Sequence, residues 1–365
     1  MSNQALFPPF TWDTTPVYQM FADRVQFKDE NVRSIAETTD FLCIEKQHGI
    51  EDLGSADAGA KHAIGQFKAL KPDMSCLVYL NSAYAYPFIS KSKAFDYKGE
   101  IHKPENAKYK SFLIVDPETG ELAYREGDHT HYFDVLNPDF RSWWVETIGE
   151  FVREAGGDGL FVDQMHGFSW LREDRSAEVA EAQALMMRMA KEEIGPDKML
   201  LLNNAAHIPE LFEAGDAFMF EHYNPELLSK EEIVNDWAIM QKVADAGKIS
   251  VWRIGVEQDR AAVARREKGL ERTNEYLAEL SQQRVSYYQA AFLIGAQENA
   301  YLQYGWGWGL YTGPLCSYPE LQRPVGKPLG EAVRETPDGW VFRRTFEHAD
   351  VWVDLEKGEG SVSSR

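Results

Sequence analysis

The chain predicts a (β/α)8 barrel with a small C-terminal β-hairpin. Eight short apolar runs recur along its 365 residues, mostly separated by stretches of helical period. That alternation belongs to a parallel sheet wrapped by helices. The fourth and sixth runs end on carboxylates, Asp163 and Glu221, at the position that forms the C-terminal rim of such a barrel. A doubly wound sheet is the runner-up, but no Gly-rich phosphate loop supports it.

The organising stretch is DGLFVDQMHG, Asp158–Gly167. Gly156-Gly157 stops the preceding helix, Gly159–Val162 reads as a buried strand, and Asp163 ends it. A carboxylate where an apolar strand runs out is costly unless solvated, paired or used.

Residues 1–39 read as a Pro-rich and polar entry, with a short helix at Asp29–Glu37. The first run is Phe41–Lys46, then a helix over 55–70, then Cys76–Asn81. A long aromatic loop follows to about Thr130, with a hairpin around the DPETG turn. Loops of this length on a compact fold are usually functional. Tyr132–Leu136 is the third run, and Pro138 opens the next helix, where its missing donor costs nothing. After the Asp163 strand come helix 176–194, strand Met199–Asn204, strand Ala217–Glu221 and helix 231–245. Strand Ile249–Ile254, helix 270–294 and strand Ala300–Tyr304 complete the set. Residues 1–338 form the expected catalytic barrel, and 339–365 the hairpin packed on it.

Composition narrows the ligand. A formal charge of −20 repels nucleic acid and anionic membranes, so a neutral ligand is favoured. Aromatics at 13%, with 10 Trp and 16 Tyr, suit a site that stacks sugar rings. The three cysteines are widely spaced, and no Cys/His spacing suggests zinc, so neither metal nor cofactor is expected. The N-terminus lacks the basic and apolar regions of a signal peptide, and no run of 18 apolar residues exists. The cytoplasm is the simplest location unless an export signal has been removed.

Strand parity brings the acids together. Asp163 shares a face with Phe161 and Gly159, and Glu221 with Met219 and Ala217, so both can point into the barrel mouth. Two such acids are the minimal equipment for glycoside hydrolysis: one attacks or activates water, the other protonates the leaving oxygen. Other rim positions supply groups suited to sugar hydroxyls. They are Glu45, Lys46, His48, Tyr79, Asn81, Asp134, His166, Asn203, Asn204, Tyr223 and Arg253. Asn203-Asn204 and Asp134 have simpler roles available as helix caps. Trp306 and Trp308, flanked by glycines, are candidates for a stacking platform or for closing the rim.

The segments FLCIEKQHG, LVYLNSAYAY, DVLNPDFRSWW, GLFVDQMHG, LLLNN and MFEHY resemble the glycoside-hydrolase-like (β/α)8 families, most closely hypothetical glycoside hydrolase family fifteen. GKPLG followed by WVFRRTF is similar to that group's C-terminal hairpin. More distantly related barrels of the melibiase and polygalactosaminidase type place a nucleophile after strand four and an acid/base after strand six. That resemblance implies Asp163 as nucleophile and Glu221 as general acid/base. Melibiases use Asp after strand six, and their YxDxK pattern is absent, so substrate and linkage do not carry over. The short Asp163 suits a fixed nucleophile and the longer Glu221 a proton shuttle, which favours retention.

Three other readings compete. In a carbohydrate-binding barrel without catalysis, the acids would only bond hydroxyls. A metal-dependent hydrolase would draw on His129 and His131, which lack partners on later strands. A Schiff-base aldolase would need Lys46, which no pattern isolates.

Overall fold

The computed structural model describes residues 7–165, 169–222 and 226–365. Eight parallel strands make one nearly closed barrel in the order β1 to β8. They are β1 (Tyr18–Phe21), β2 (Phe41–Ile44), β3 (Ser75–Asn81), β4 (Gly159–Asp163), β5 (Met199–Asn203), β6 (Ala217–Glu221), β7 (Ile249–Gly255) and β8 (Ala300–Gly305). A parallel bridge from Val17 to Leu302 joins the first and last strands. The intervening helices are α1 (Asp29–Ala36), α2 (Ala56–Leu70), α3 (Pro138–Ala155), α4 (Ser176–Ile194), α5 (Pro209–Ala214), α6 (Lys230–Asp245), α7 (Arg260–Glu267) and α8 (Asn274–Gly295). Among the described residues, no helix is long and apolar enough to cross a membrane. The chain divides into two compact units: Phe21–Val32 with Leu42–Ala217, and Pro8–Met20 with Arg33–Phe41 and Phe218–Arg365.

One expected strand is not in the barrel. Tyr132 and Phe133 make isolated antiparallel bridges to Tyr84 and Leu113, and Val135-Leu136 turn into α3. Loop partners, rather than a parallel neighbour, satisfy this stretch; the Phe133 N–H bonds the Ala83 carbonyl at 2.8 Å. The missing strand is YQMF, Tyr18–Phe21, inside the expected entry segment and buried at all four positions. Asp163 and Glu221 therefore still end the fourth and sixth barrel strands, while Glu45 follows the second.

In the first unit, local chemistry sets the helix ends. Asn137, not Asp134, caps α3: its Oδ1 accepts from the Asp139 and Phe140 N–H groups at 2.9 and 3.4 Å. Gly156 ends α3 at φ 68, a left-handed residue that glycine adopts freely. The DPETG hairpin forms, with Val115 bridging Leu122 and the Asp116 carboxylate accepting from Glu118 N at 2.8 Å. Where Gly49 meets Gly59 of α2, two backbones pass closely; a Cβ on Gly59 would lie 1.9 Å from the His48 carbonyl oxygen.

In the second unit, the C-terminal strands form a separate antiparallel sheet. Beyond the expected hairpin of β10 (Val341–Thr345) and β11 (Ala349–Asp354), it has two more strands, β9 (Val333–Arg334) and β12 (Glu359–Ser364). Arg344 of β10 is buried and ties this sheet to the end of α8. Its Nη1 donates to the carbonyls of Leu293, Ile294 and Ala296, which the helix leaves without internal partners.

Gly59→Ala should destabilise the protein by about 3 kcal/mol, because the methyl meets backbone rather than a movable side chain. Denaturant unfolding measures this; a loss well below ~1 kcal/mol would show that the contact relaxes easily.

Candidate active site

In the first unit, parallel register lines up the ends of three strands. Asn81 pairs with Asp163, Phe161 with Leu201 and Val162 with Leu202. Alternation then puts Tyr79, Asn81, Phe161, Asp163 and Asn203 on one face. The Tyr79 and Phe161 rings stack 5.7 Å apart beneath the acid.

Asp163 is held from three sides. Its Oδ2 accepts from the Tyr79 hydroxyl at 2.7 Å. Its Oδ1 accepts from Asn203 Nδ2 at 3.0 Å and the Gln164 N–H at 2.7 Å. Gln164 sits at φ 64, a left-handed turn that aims its N–H back at the preceding carboxylate, and Asn204 takes φ 49 in the same place after β5. Ser82 fixes the turn, its Oγ donating to the Asp163 and Gln164 carbonyls at 2.8 and 3.2 Å.

The proton between Tyr79 and Asp163 can be assigned. Asn81 Oδ1 accepts from the Ala83 and Tyr84 N–H groups at 2.9 and 2.6 Å, so its Nδ2 is the group facing the Tyr79 oxygen at 3.3 Å. Tyr79 accepts there and gives its one proton to Asp163. Burial, reinforced by the charges of Asp163 and Glu45, holds the phenol pKa well above its usual value. Tyr79 therefore remains a donor.

Glu45 completes the cluster. It is 4% exposed; Oε1 pairs with Lys46 Nζ at 2.8 Å, and Oε2 has no hydrogen-bond partner among the described residues. Burial pushes its carboxyl up, Lys46 opposes this, and the Asp163 charge adds to it. The Lys46 ammonium lies 5.3 Å from the Tyr79 ring centre and 5.9 Å from that of Tyr86. An aromatic wall runs on from there, with Tyr86 and Phe88 stacked 5.1 Å apart and the Arg125 guanidinium 4.7 Å over Tyr84. These loop aromatics were not among the expected site residues, although Tyr84, Tyr86 and Phe88 alternate in the sequence.

Other expected residues are placed elsewhere. His48 is fully buried against Phe27, ring centres 4.2 Å apart, so it is a core residue and not a sugar ligand. Burial lowers its pKa to about 4. Asp134 pairs with Arg172 at 3.3 Å. Asn204 is exposed. His129 Nδ1 meets the Tyr124 hydroxyl at 3.0 Å, and His131 Nδ1 meets the Ala123 carbonyl at 3.0 Å. Among the described residues, no group of three or more His, Cys, Asp or Glu could hold a metal ion. His166 and Tyr223 lie outside the described residues.

In the second unit, Glu221 ends β6 half-buried after four buried residues. The next residue, His222, bonds Asp236 through Nε2, and its N–H donates to the Arg253 carbonyl at 3.2 Å. Arg253 is buried, its Nη1 donating to the His222 carbonyl at 2.6 Å and to Glu257 Oε1 at 2.5 Å. Trp308 is half-buried with the Arg253 guanidinium 4.8 Å from its ring centre. Trp306 is buried, its indole N–H donating to Asn274 at 3.2 Å, so it packs the rim and offers no stacking face.

Linkage gives two pH effects with opposite signs. The unfolded chain protonates His48 near pH 6.5 and the folded one near 4, so stability should fall as pH drops through that window. The contribution is about 3 kcal/mol at most. His48→Phe should flatten the acid limb of a stability–pH curve, and an unchanged limb would refute the assignment. Glu45 is raised instead, so its contribution is present below the unfolded value and lost as pH rises through the folded one. Glu45→Gln should therefore stabilise the protein at pH 7 and lose that advantage below pH 4, as measured by denaturant unfolding.

Among curated proteins, none matches the chain in sequence. Its fold is shared with the α-amylase of Geobacillus thermoleovorans, solved with acarbose, at a TM-score of 0.52 and 12% identity over 94% of this chain and 87% of that one. The Anoxybacillus α-amylase gives 0.50 and 12% over the same shares. A weaker overlay, TM-score 0.44 at 14% identity, covers 70% of this chain and 92% of the glycoside hydrolase domain of PelA from Pseudomonas aeruginosa. The family model described as "Hypothetical glycosyl hydrolase family 15" matches residues 68–350, which include Asp163, its three donors and Glu221. The chain belongs to that family, and with it to the glycoside hydrolases.

Proposed function

We propose that the protein hydrolyses a glycosidic bond with retention of configuration, Asp163 acting as nucleophile and Glu221 as general acid/base. The observation that carries this reading is the grip on Asp163 by Tyr79, Asn203 and the Gln164 N–H. Fixed orientation is what a nucleophilic carboxylate needs to meet an anomeric carbon in line. Among the described residues Oδ1 has two donors, whereas Oδ2 has one and keeps a lone pair for attack.

In the first step Asp163 Oδ2 bonds to the anomeric carbon while Glu221 protonates the departing glycosidic oxygen. In the second, Glu221 takes a proton from water, whose oxygen displaces Asp163. Tyr79 strengthens its bond to whichever state carries negative charge on Asp163, which assists departure in the second step. Asn81 holds that hydroxyl and acts as a positioning residue. Lys46, held by Glu45 Oε1, offers a donor for sugar hydroxyls, and the half-buried Trp308 ring offers a stacking surface. The substrate is a neutral oligosaccharide, in keeping with the formal charge of −20.

The anomer first released, followed by NMR, should match the substrate's configuration; release of the other anomer would remove Asp163 from the nucleophile's role. Asp163→Ala should lower kcat by about a thousandfold or more and, with added azide, yield a glycosyl azide. Tyr79→Phe should cost about ten- to a hundredfold in kcat with little change in KM. Sugar binding without any turnover across a broad glycoside panel would favour the non-catalytic barrel.

A further inference from the structure

The chain leaving β6 is held at one residue from three directions. His222, which follows Glu221, is tied at its N–H, its carbonyl and its ring, all within the second unit. Its N–H donates to the Arg253 carbonyl at 3.2 Å, and its own carbonyl accepts from Arg253 Nη1 at 2.6 Å. Its Nε2 meets Asp236 of α6, a carboxylate that also accepts from the Trp252 indole N–H at 2.8 Å.

Asp236 shows which way these side chains face. It draws His222 and Trp252 toward α6, so alternation puts their neighbours Glu221 and Arg253 on the other face. Arg253 is 2% exposed there, and its charge is met: Glu257 Oε1 accepts from the same Nη1 at 2.5 Å. Gly255 leaves room for this pair, since a Cβ there would lie 1.8 Å from Glu257 Oε2. The guanidinium also lies 4.8 Å from the Trp308 ring centre, close enough for a cation–π contact. Nη1 is thus committed to the protein, half of it to the backbone just past Glu221.

We propose that Arg253 is a positioning residue for the proton donor: it fixes the peptide groups on both sides of His222, and with them the backbone that carries Glu221. The inference rests on the reading of Glu221 as general acid/base, and it gives Arg253 a role that needs no contact with the sugar. A general acid must come within hydrogen-bond distance of the leaving oxygen. A misplacement of about 1 Å costs on the order of a hundredfold.

The test separates proton donation from every other contribution of Arg253. Phenolate needs a proton to leave a glycoside readily, whereas 2,4-dinitrophenolate leaves without one. The probes are phenyl and 2,4-dinitrophenyl D-glucosides, D-galactosides, D-mannosides and D-xylosides, in both anomeric forms. The readout is the ratio of kcat/KM for the phenyl to the dinitrophenyl member of a pair, which cancels any loss common to both. A loss of folded protein or of sugar binding leaves this ratio where it is. Arg253→Lys keeps the charge but not the reach of the fork. It should lower the ratio about thirtyfold, against about a hundredfold or more for Glu221→Gln. Glu257→Gln weakens the charge-assisted bond that holds Nη1 and should lower it about threefold. An unchanged ratio in Arg253→Lys, with that of Glu221→Gln reduced, overturns this inference alone. An unchanged ratio in Glu221→Gln removes Glu221 as proton donor, so the hydrolytic reading fails and takes this inference with it. Turnover of no probe by wild type overturns both. Should Arg253→Lys fail to fold, Glu257→Gln decides on the same ratio.

Discussion

The hydrogen bond from Tyr79 to Asp163 is the contact around which the candidate site is arranged. It depends on register. A shift of β4 by one residue against β3 would carry Asp163 to the opposite face and break the bond. Register in turn rests on the buried apolar residues of β3, β4 and β5, which leave no face of the sheet free to slip. Core packing and site geometry are thus one constraint. The polar cluster needs no separate scaffold, since the strand ends that finish the core also deliver its donors.

That arrangement carries a cost at Glu45. A buried carboxyl with one oxygen unmet among the described residues opposes folding, and its neighbour Asp163 makes matters worse. Lys46 offsets part of this, at the edge of the aromatic wall. Groups that strain a fold in this way concentrate where function needs them. The contrast with His48 is instructive. Its ring too is buried and has nitrogens without partners among the described residues, yet it packs on Phe27 as a neutral core ring.

Much of this was legible in the sequence, for physical reasons that also explain the failures. Strands such as LLLNN and GLFVD are unbroken apolar runs ending in polar residues, and their shortness is what marks them as buried strands and not helices. Their ends named Asp163, Asn203, Tyr79 and Asn81 correctly as near neighbours. YQMF was hidden because four residues after a Pro-rich stretch carry too little periodicity, while YFDVL had strand composition but found its partners in the loop. Two errors cancelled, so the strand count to Asp163 and Glu221 survived. His48 failed for another reason, and the choice between platform and rim at Trp306 stayed open for the same one: burial depends on tertiary neighbours that no local pattern reveals. The aromatic wall of Tyr84, Tyr86 and Phe88 was in view as an alternation, but its place beside Lys46 follows only from the folded loop.

The pairing of Val17 with Leu302 has a consequence for how the molecule is made. The second compact unit draws its segments from both ends of the chain, Pro8–Met20 and Arg33–Phe41 with Phe218–Arg365. Contacts between partners so distant in sequence form slowly, because a very long loop must close before they give anything back. On a ribosome the early segments emerge long before β8 exists, while the first unit already has most of what it needs. β1 must then wait with its apolar residues uncovered. Its shortness, four residues, limits how much sticky edge is on display during that interval.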